Sequence, residues 1–401
     1  MARCILKGAE ITPENDSKAH VIPSALGGTL KPKGLLCRAA NLELAEKFDL
    51  LLITAFQPIM ALVGGVPDRG QLQPTELKGP DGKRYLLAFG QRIEMKAPEY
   101  SEVPTETGIQ YSITARTLKE ARTLLGRVVK DNPHLDVDEL LSKAVHTETY
   151  LSHALRGQLK LGDAYTFPAI FGMAAIYAAH CGVSPHPEFK NYVDSFPDDG
   201  KEILESLEGR IPIPPDTFYW MPNVSPFEES EGVTHRIFLA THPEKGVAFF
   251  HVELFNLIRV GVKIPYAGEA RSVWSYGVDV LTGVAFDPTP KEAVIYGTEW
   301  VETHQMTDES WLTELLRGLS HMLLLVQFRS LEQEFRRILR EELANKEGGY
   351  AGIGARTMAR IEAVMEAQLS NIEDESAKER LLNMIYYAVM KAMAEEYLQP
   401  V

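Results

Sequence analysis

The sequence predicts an α+β protein: an N-terminal strand–loop–strand–helix unit, a middle mixed region with an antiparallel sheet, and a C-terminal long helical hairpin. Three observations carry this. Residues 20–52 pass from short β-prone runs, split by Pro23 and Gly27-Gly28, into helical spacing. Residues 217–297 are rich in β-branched and aromatic side chains. From Thr307 onward the spacing is helical, with a break at Gly348-Gly349.

Residues 2–8 read as one short strand, and 9–19, polar and broken by Pro13, as loop. Residues 20–23 read as a strand stopped by a proline that cannot donate to a ladder. Leu26-Gly27-Gly28 is a turn, and 34–37 a second short strand. From Arg38 the positions Leu42, Ala45, Phe48 and Leu52 fall on one helix face, and Pro58 with the loop 64–70 ends that helix. Residues 80–114 read as a hairpin or small sheet around Asp81-Gly82, with strands at 84–89 and 108–114. Helices are expected at 117–130, 136–155 and 165–182. The third is apolar all round (Phe167, Ile170, Phe171, Ala174, Ile176, Tyr177), which predicts burial. The proline-rich run 211–215 is the best linker or domain edge.

Strands at 234–241 and 247–265 flank a hairpin loop at 242–246, and 271–286 and 293–296 extend the same sheet. Thr307 is placed to cap a helix running to Lys346, whose centre, 322–326, is apolar on every side. A second helix starts near Arg356, is interrupted by the polar patch 370–378, and keeps a seam through Leu381, Ile385, Ala388, Ala392 and Tyr397. Helical hairpins of this kind commonly join copies of a chain, so a homo-oligomer through these helices is expected. The expected regions are 1–75, 76–215, 216–300 and 301–401.

The net charge of −14 opposes broad nucleic-acid binding. Residues 1–76, however, carry eight basic and eight acidic side chains, so the deficit lies wholly after them. A nucleic-acid partner would have to meet the N-terminal region. Three cysteines offer no disulfide framework and point to a reducing, cytoplasmic setting. The N-terminus turns polar quickly, without the apolar stretch of a signal peptide. The most apolar runs, 50–63 and 169–179, are broken by Gln57-Pro58 or too short for about 30 Å of hydrocarbon. A soluble protein with no membrane partner is expected.

The stretch 17–41, SKAHVIPSALGGTLKPKGLLCRAAN, concentrates the chemistry: Lys18, Lys31, Lys33 and Arg38, with no acid among them. Phosphodiester hydrolysis needs an activated water, positive charge on the leaving and non-bridging oxygens, and basic groups along the backbone. His20, ending a short strand, suits a general base. Asn41, opening the helix, offers an amide oxygen to a hard cation. Gly27-Gly28 permits the sharp bend between them. Lys31, Lys33 and Arg38 are spaced to reach phosphates, and Arg69, in Pro-Asp-Arg-Gly, either touches a phosphate or pairs with Asp68.

The pattern His-x-x-Pro, Leu-Gly-Gly, then Leu-Cys-x-x-x-Asn resembles the HNH endonucleases, built on a ββα-metal core. It most resembles the bacterial subgroup with a Cys-x-x-Cys before the His and another just before the final Asn. The resemblance covers residues 1–70. It implies an HNH-like ββα-metal module over 1–75, with His20 as general base and metal ligand. It also implies Asn41 as the last triad member and a metal ligand, Mg²⁺ or another divalent cation as cofactor, and DNA as substrate.

Family members carry Asp, Glu or sometimes His directly before the catalytic His, as a metal ligand. Here that residue is Ala19, and the middle Asn of the triad is Gly34. Asp16 or Asp49 would have to supply the missing ligand. Cys4 and Cys37 keep two zinc-ribbon positions, but Lys7 and Ala40 hold the others. Two thiolates do not close a tetrahedral site, so no structural zinc is expected. The leading expectation is a metal-dependent HNH-type endonuclease acting on DNA. By analogy alone, the acidic remainder oligomerises the protein or senses a trigger, as in a bacterial antiviral-defence effector. Ala19 and Gly34 motivate the alternative, a catalytically inactive pseudo-nuclease serving as a binding or assembly module.

Other features read as structural. The pairs His146/His153 and His235/His242, seven residues apart, fit no metal spacing on a helix and lie on opposite faces of a strand. The glycine-rich run 348–354 lacks the Lys-Ser/Thr of a phosphate loop and reads as the turn between helices. Met358, Met365, Met384, Met390 and Met393 read as core or interface.

Overall fold

The computed structural model describes residues 2–80, 82–87, 93–106, 108–143, 145, 156, 163–196, 218–220, 225–228, 232–291, 308–344 and 349–369, with short pieces between 378 and 390. The protein is a mixed α+β structure whose sheets are antiparallel. It packs as two units: residues 1–230 with 234–307, and residues 231–233 with 308–401.

Residues 2–37 pair by single steps rather than by continuous strands. Isolated bridges join Arg3 to Glu10 and Asp16 to Cys37. Backbone N–H groups of Ile5, Ser17 and Val21 reach the carbonyls of Leu35, Leu36 and Leu30 at 3.0, 3.2 and 3.1 Å. The strands expected at 20–23 and 34–37 therefore shrink to isolated ladder steps. Pro23 and Pro32 have no N–H to continue a ladder, and Gly34 turns the chain at φ +73°.

Helix α1 (Arg38–Leu44), a π-helical turn (Ala45–Asp49) and helix α2 (Leu50–Val63) run on without a break. Two details depart from simple helical spacing. Leu42 is 56% exposed, while Ala40, Leu44 and Phe48 are buried. Leu42 stands two residues from both Ala40 and Leu44, more than half a turn round the helix, so the buried stripe of α1 runs on the opposite face. Pro58 lies inside α2 instead of ending it. A mid-helix proline costs about 3 kcal/mol. Leu51, Leu52, Phe56, Ile59 and Met60 are all buried on this helix, and each contributes roughly 1.5–3 kcal/mol. Burial wins, and the helix ends at Gly64, whose φ of +69° caps it.

A three-stranded sheet follows, β1 (Thr75–Lys78), β2 (Arg84–Leu87) and β3 (Ile93–Met95), then the two-stranded β4 (Glu99–Thr105) and β5 (Gly108–Thr114). Helix α3 (Leu118–Asp131) is capped by Thr117, whose hydroxyl accepts the Glu120 N–H, while the Glu120 carboxylate accepts the Arg116 N–H at 3.2 Å. Helix α4 (Val137–Ser142) is capped likewise by Asp136. Helix α5 (Asp163–His180) is buried on all sides from Thr166 to Ala178, as its composition predicts, and α6 (Phe189–Asp194) folds back on it. Phe171 of α5 meets Phe189 and Tyr192 edge-on, with ring centres 5.6 and 5.1 Å apart.

The large sheet contains β6 (Phe218–Trp220), β7 (Thr234–His242), β8 (Val247–Leu254), β9 (Ile258–Pro265), β10 (Val273–Asp279) and β11 (Ala285–Phe286), in the order β11-β10-β7-β8-β9-β6. Its centre is buried on both faces, so β7 shows no in–out alternation. Helix α5 packs on one face, where Tyr177 meets Phe250 at 6.1 Å. On the other, Phe227, Phe238, Ala240 and Phe249 form a cluster. The strand expected over 247–265 is two strands joined by a turn at Phe255-Asn256, both with φ +57°. Asn accepts that conformation readily; for Phe it is strained by about 1–3 kcal/mol. Phe255 is held because its ring is buried between Phe56, stacked at 5.3 Å, and His235, edge-on at 4.4 Å.

In the second unit, helix α7 (Asp308–Ala344) and helix α8 (Gly349–Leu369) pack through Leu331, Phe335, Ile338 and Leu339 against Ile361, joined by Ile385. Glu342 pairs with Arg356 at 2.6 Å and Arg360 at 3.0 Å. The turn expected over 348–354 is helical from Gly349 onward. Each glycine there costs about 1 kcal/mol against alanine, and the ion pairs and apolar seam one turn further on offset this. Met358 and Met390 are half exposed rather than core. The expected linker 211–215, the strand 293–296, the pair His146/His153, the Thr307 cap and most of the patch 370–378 lie outside the described residues.

Candidate functional site

The loop carrying His20 is built by partners distant in sequence. After Pro23 a short 3-10 turn (Ser24–Leu26) leads to Gly27 at φ +88° and Gly28. A Cβ on Gly28 would lie 2.0 Å from the Ile22 carbonyl oxygen, so only glycine fits this close approach. The large sheet then clamps the loop. His235 of β7 is fully buried, its Nδ1 accepts the Phe255 N–H at 3.1 Å, and its Nε2–H donates to the Leu26 carbonyl at 2.8 Å. The Tyr276 hydroxyl of β10 accepts the N–H groups of Thr29 and Leu30 at 3.0 and 3.2 Å.

The loop after α2 is pinned in the same place. Val66 donates to the Val280 carbonyl at 2.8 Å and Asp68 donates to the Ser24 carbonyl at 2.9 Å. This sets Asp68 opposite His20. His20 Nε2 lies 3.1 Å from Asp68 Oδ2. Lys31 Nζ donates to Oδ1 at 2.9 Å and to Oδ2 at 2.7 Å, and Arg69 Nε lies 3.7 Å from Oδ2. His20 and Asp68 are mostly buried, with 13% and 14% of their side chains exposed, while Arg69 is 62% exposed. Burial pushes the His20 imidazole below its ordinary value, against the opposing pull of Asp68. The Lys31 ammonium, together with His20, holds the Asp68 carboxyl below the usual carboxylate range. At neutral pH this favours a neutral imidazole beside an ionised carboxylate. With Nε2–H donating to Asp68, the lone pair sits on Nδ1, the atom able to take a proton.

The expected site residues divide in two. His20, Lys31 and Arg69 meet around Asp68; for Arg69 this is the pairing alternative of the two expected. Asp16, Asn41, Lys33 and Arg38 make no hydrogen bond to that group among the described residues. Asp16 Oδ1 accepts the N–H groups of Ser17 and Gly34, each at 2.9 Å, which holds the bridge to Cys37. Asn41 sits in α1, its N–H bonded to the Cys37 carbonyl at 3.0 Å. Lys33 and Arg38 are exposed, and the Arg38 guanidinium reaches the Glu14 carbonyl at 3.5 Å. Asp49, the other candidate ligand, lies in the π-turn, where desolvation pushes its carboxyl up to about 7.

Cys4 and Cys37 are buried thiols. Burial raises the Cys4 pKa, but the N–H groups of Cys37, Lys7 and Leu6 around its sulfur outweigh this and hold it below the ordinary value. At the second ribbon position, Lys7 pairs with Glu43 at 2.5 Å. Asp68 is the functional candidate that sequence spacing misses. It stands 48 residues from His20, and its only local signal is a lone acid in the Pro-Asp-Arg-Gly loop.

No family model matches the chain, and no curated protein matches it. An imidazole aligned by a carboxylate, with an ammonium alongside and a guanidinium at the rim, combines a proton acceptor with fixed positive charge. That combination suits attack on an anionic ester.

Proposed function

We propose that the N-terminal segment, residues 1–75, is a degenerate HNH-type unit that hydrolyses phosphodiesters in DNA. The observation that carries this is the His20–Asp68–Lys31 constellation. His20 Nδ1 takes the proton from water as its oxygen attacks phosphorus; the P–O bond to the departing sugar oxygen breaks, that oxygen takes a proton from solvent, and the imidazolium returns its proton to solvent. Asp68 holds the ring by Nε2. Lys31 and Arg69 meet the charge on the phosphate oxygens, and Lys33 and Arg38 track the neighbouring backbone. The acidic remainder takes no part in DNA contact. Its C-terminal helices join copies of the chain, in a cytoplasmic protein of the bacterial antiviral-defence kind. No helix among the described residues is long and apolar enough to cross a membrane.

A divalent cation between His20, Asn41 and Asp16 fits this donor set poorly. Ala19 offers no ligand, one oxygen of Asp16 is spent on two backbone N–H groups, and Asp68 is already neutralised by Lys31. Among the described residues no three His, Cys, Asp or Glu side chains cluster as ligands. No step above is routed through a metal.

The same facts support a second reading, a pseudo-nuclease that keeps the loop as a binding or assembly surface. Incubation with plasmid, single-stranded DNA and RNA, in Mg²⁺, Mn²⁺ or EDTA, separates the two. Cutting is expected from the wild type, with a loss of about 10²–10⁴-fold in His20→Ala. Absence of cutting on every substrate and in every buffer would sink the hydrolase in favour of the pseudo-nuclease.

A further inference from the structure

A hard cation in this site would need the Asp68 oxygens and the adjacent imidazole nitrogen. Both are taken. The Lys31 ammonium lies within 2.7 and 2.9 Å of the two Asp68 oxygens, and Oδ2 also receives His20 Nε2 at 3.1 Å. These are charge-assisted contacts in a mostly buried pocket, with Lys31 24% and Asp68 14% exposed. Neither partner is free to drift. The backbone just before Lys31 is fixed by the Tyr276 hydroxyl, and the Asp68 N–H is fixed by the Ser24 carbonyl.

We infer that Lys31 stands in for a divalent cation: its ammonium occupies the cation's place against Asp68, and the site meets an anionic phosphate ester without metal. This rests on the hydrolase reading for its substrate, but not for its metal chemistry. Asp68 and His20 retain a hard-cation half-site that one side chain blocks. Removing the ammonium should open it, because an ionised carboxylate left buried without a counter-charge recruits one.

The test is Mn²⁺ binding by the full chain, followed by electron paramagnetic resonance and calorimetry. Wild type, Asp68→Asn, Lys31→Ala, Lys31→Met and the double variant Lys31→Met with Asp68→Asn are compared, each checked for folding by circular dichroism. The wild type is expected to bind no stoichiometric Mn²⁺. Lys31→Ala or Lys31→Met is expected to bind one ion per chain, about tenfold or more tighter than any wild-type association, and the double variant to lose it. A purely structural ion pair would produce no such gain. Stoichiometric Mn²⁺ on the wild type, abolished by Asp68→Asn, overturns the inference. So does a folded Lys31→Met that binds none. Cleavage gives a parallel readout: the wild type is insensitive to EDTA, and Lys31→Met cuts only when Mn²⁺ is supplied. If nothing cuts, the hydrolase reading fails, and Mn²⁺ binding still decides the role of Lys31.

Discussion

His235 and Leu26, 209 residues apart, share a hydrogen bond of 2.8 Å from imidazole Nε2–H to backbone carbonyl. The other ring nitrogen accepts the Phe255 N–H, so the tautomer is set by the protein and the ring is satisfied on both sides. One buried histidine thus holds the turn after His20, the hairpin after β8 and the centre of the large sheet together.

Replacing His235 by Ala leaves the Leu26 carbonyl and the Phe255 N–H without partners in a dry site. Each costs about 1–3 kcal/mol, and the lost ring leaves a cavity besides. A destabilisation of roughly 3–5 kcal/mol is expected in urea unfolding, with faster amide exchange over residues 24–30. His235→Phe fills the volume but still strands both groups, so it should also lose about 2 kcal/mol or more. A Phe variant as stable as wild type would refute the clamp.

Acid should weaken the fold from near pH 6.5 downward. Burial holds His235 down to about 4 and His251 to about 3. An unfolded chain titrates histidine near 6.5, so between 6.5 and those values it takes up protons that the folded chain refuses. Stability therefore falls as pH falls, by roughly 3 kcal/mol for His235 once pH reaches its folded value. The shifts at His20, His186 and His242 have the same sign. Burial alone would raise Glu253, but Arg259 and Arg236 outweigh it and hold it at about 2. Its stabilisation, present above about pH 4.5, should be lost toward pH 2. Urea midpoints from pH 8 to 4 check the histidine limb; a flat profile between 6.5 and 4.5 contradicts it.

Gly28 and Gly34 should respond oppositely to substitution. A Cβ at Gly28 collides with Ile22 backbone at 2.0 Å, so Gly28→Ala should cost more than about 2 kcal/mol. At Gly34 the nearest atom would be the Ala2 Cβ at 3.9 Å, and φ is +73°, which Asn adopts readily. Gly34→Asn should fold within about 1 kcal/mol of wild type. Thermal unfolding of the two variants side by side tests the contrast.

Glu253 is fully buried between Arg236 and Arg259, and the Arg236 guanidinium also lies over the Phe227 ring at 4.9 Å. Glu253→Ala leaves two cations in the sheet interior without their shared anion. A loss of about 3–5 kcal/mol is expected. Glu253→Gln, which keeps the shape and one acceptor oxygen, should fall between the two. Equal stability of wild type and Glu253→Ala would mean that water reaches the cluster.

Elements with strong local signals were legible in the sequence. The buried α5 followed from its apolar circumference, and the β7–β8 hairpin from His242-Pro-Glu-Lys-Gly246. What local pattern missed was decided by packing. Ala40 and Leu44 turned α1 inward and left Leu42 at the surface, burial carried α2 through Pro58, and two aromatic neighbours hold Phe255 in a strained turn. The candidate site was half legible. His20, Lys31 and Arg69 were marked by motif and charge, but the acid that gathers them lies on another loop, positioned by backbone bonds that no spacing encodes.

The phenol of Tyr276 accepts amide protons from Thr29 and Leu30, some 246 positions earlier in the chain. A nascent polypeptide therefore exposes the His20 loop long before the strand that shapes it exists. A chain truncated before β10 lacks the hydroxyl that fixes the backbone just before Lys31.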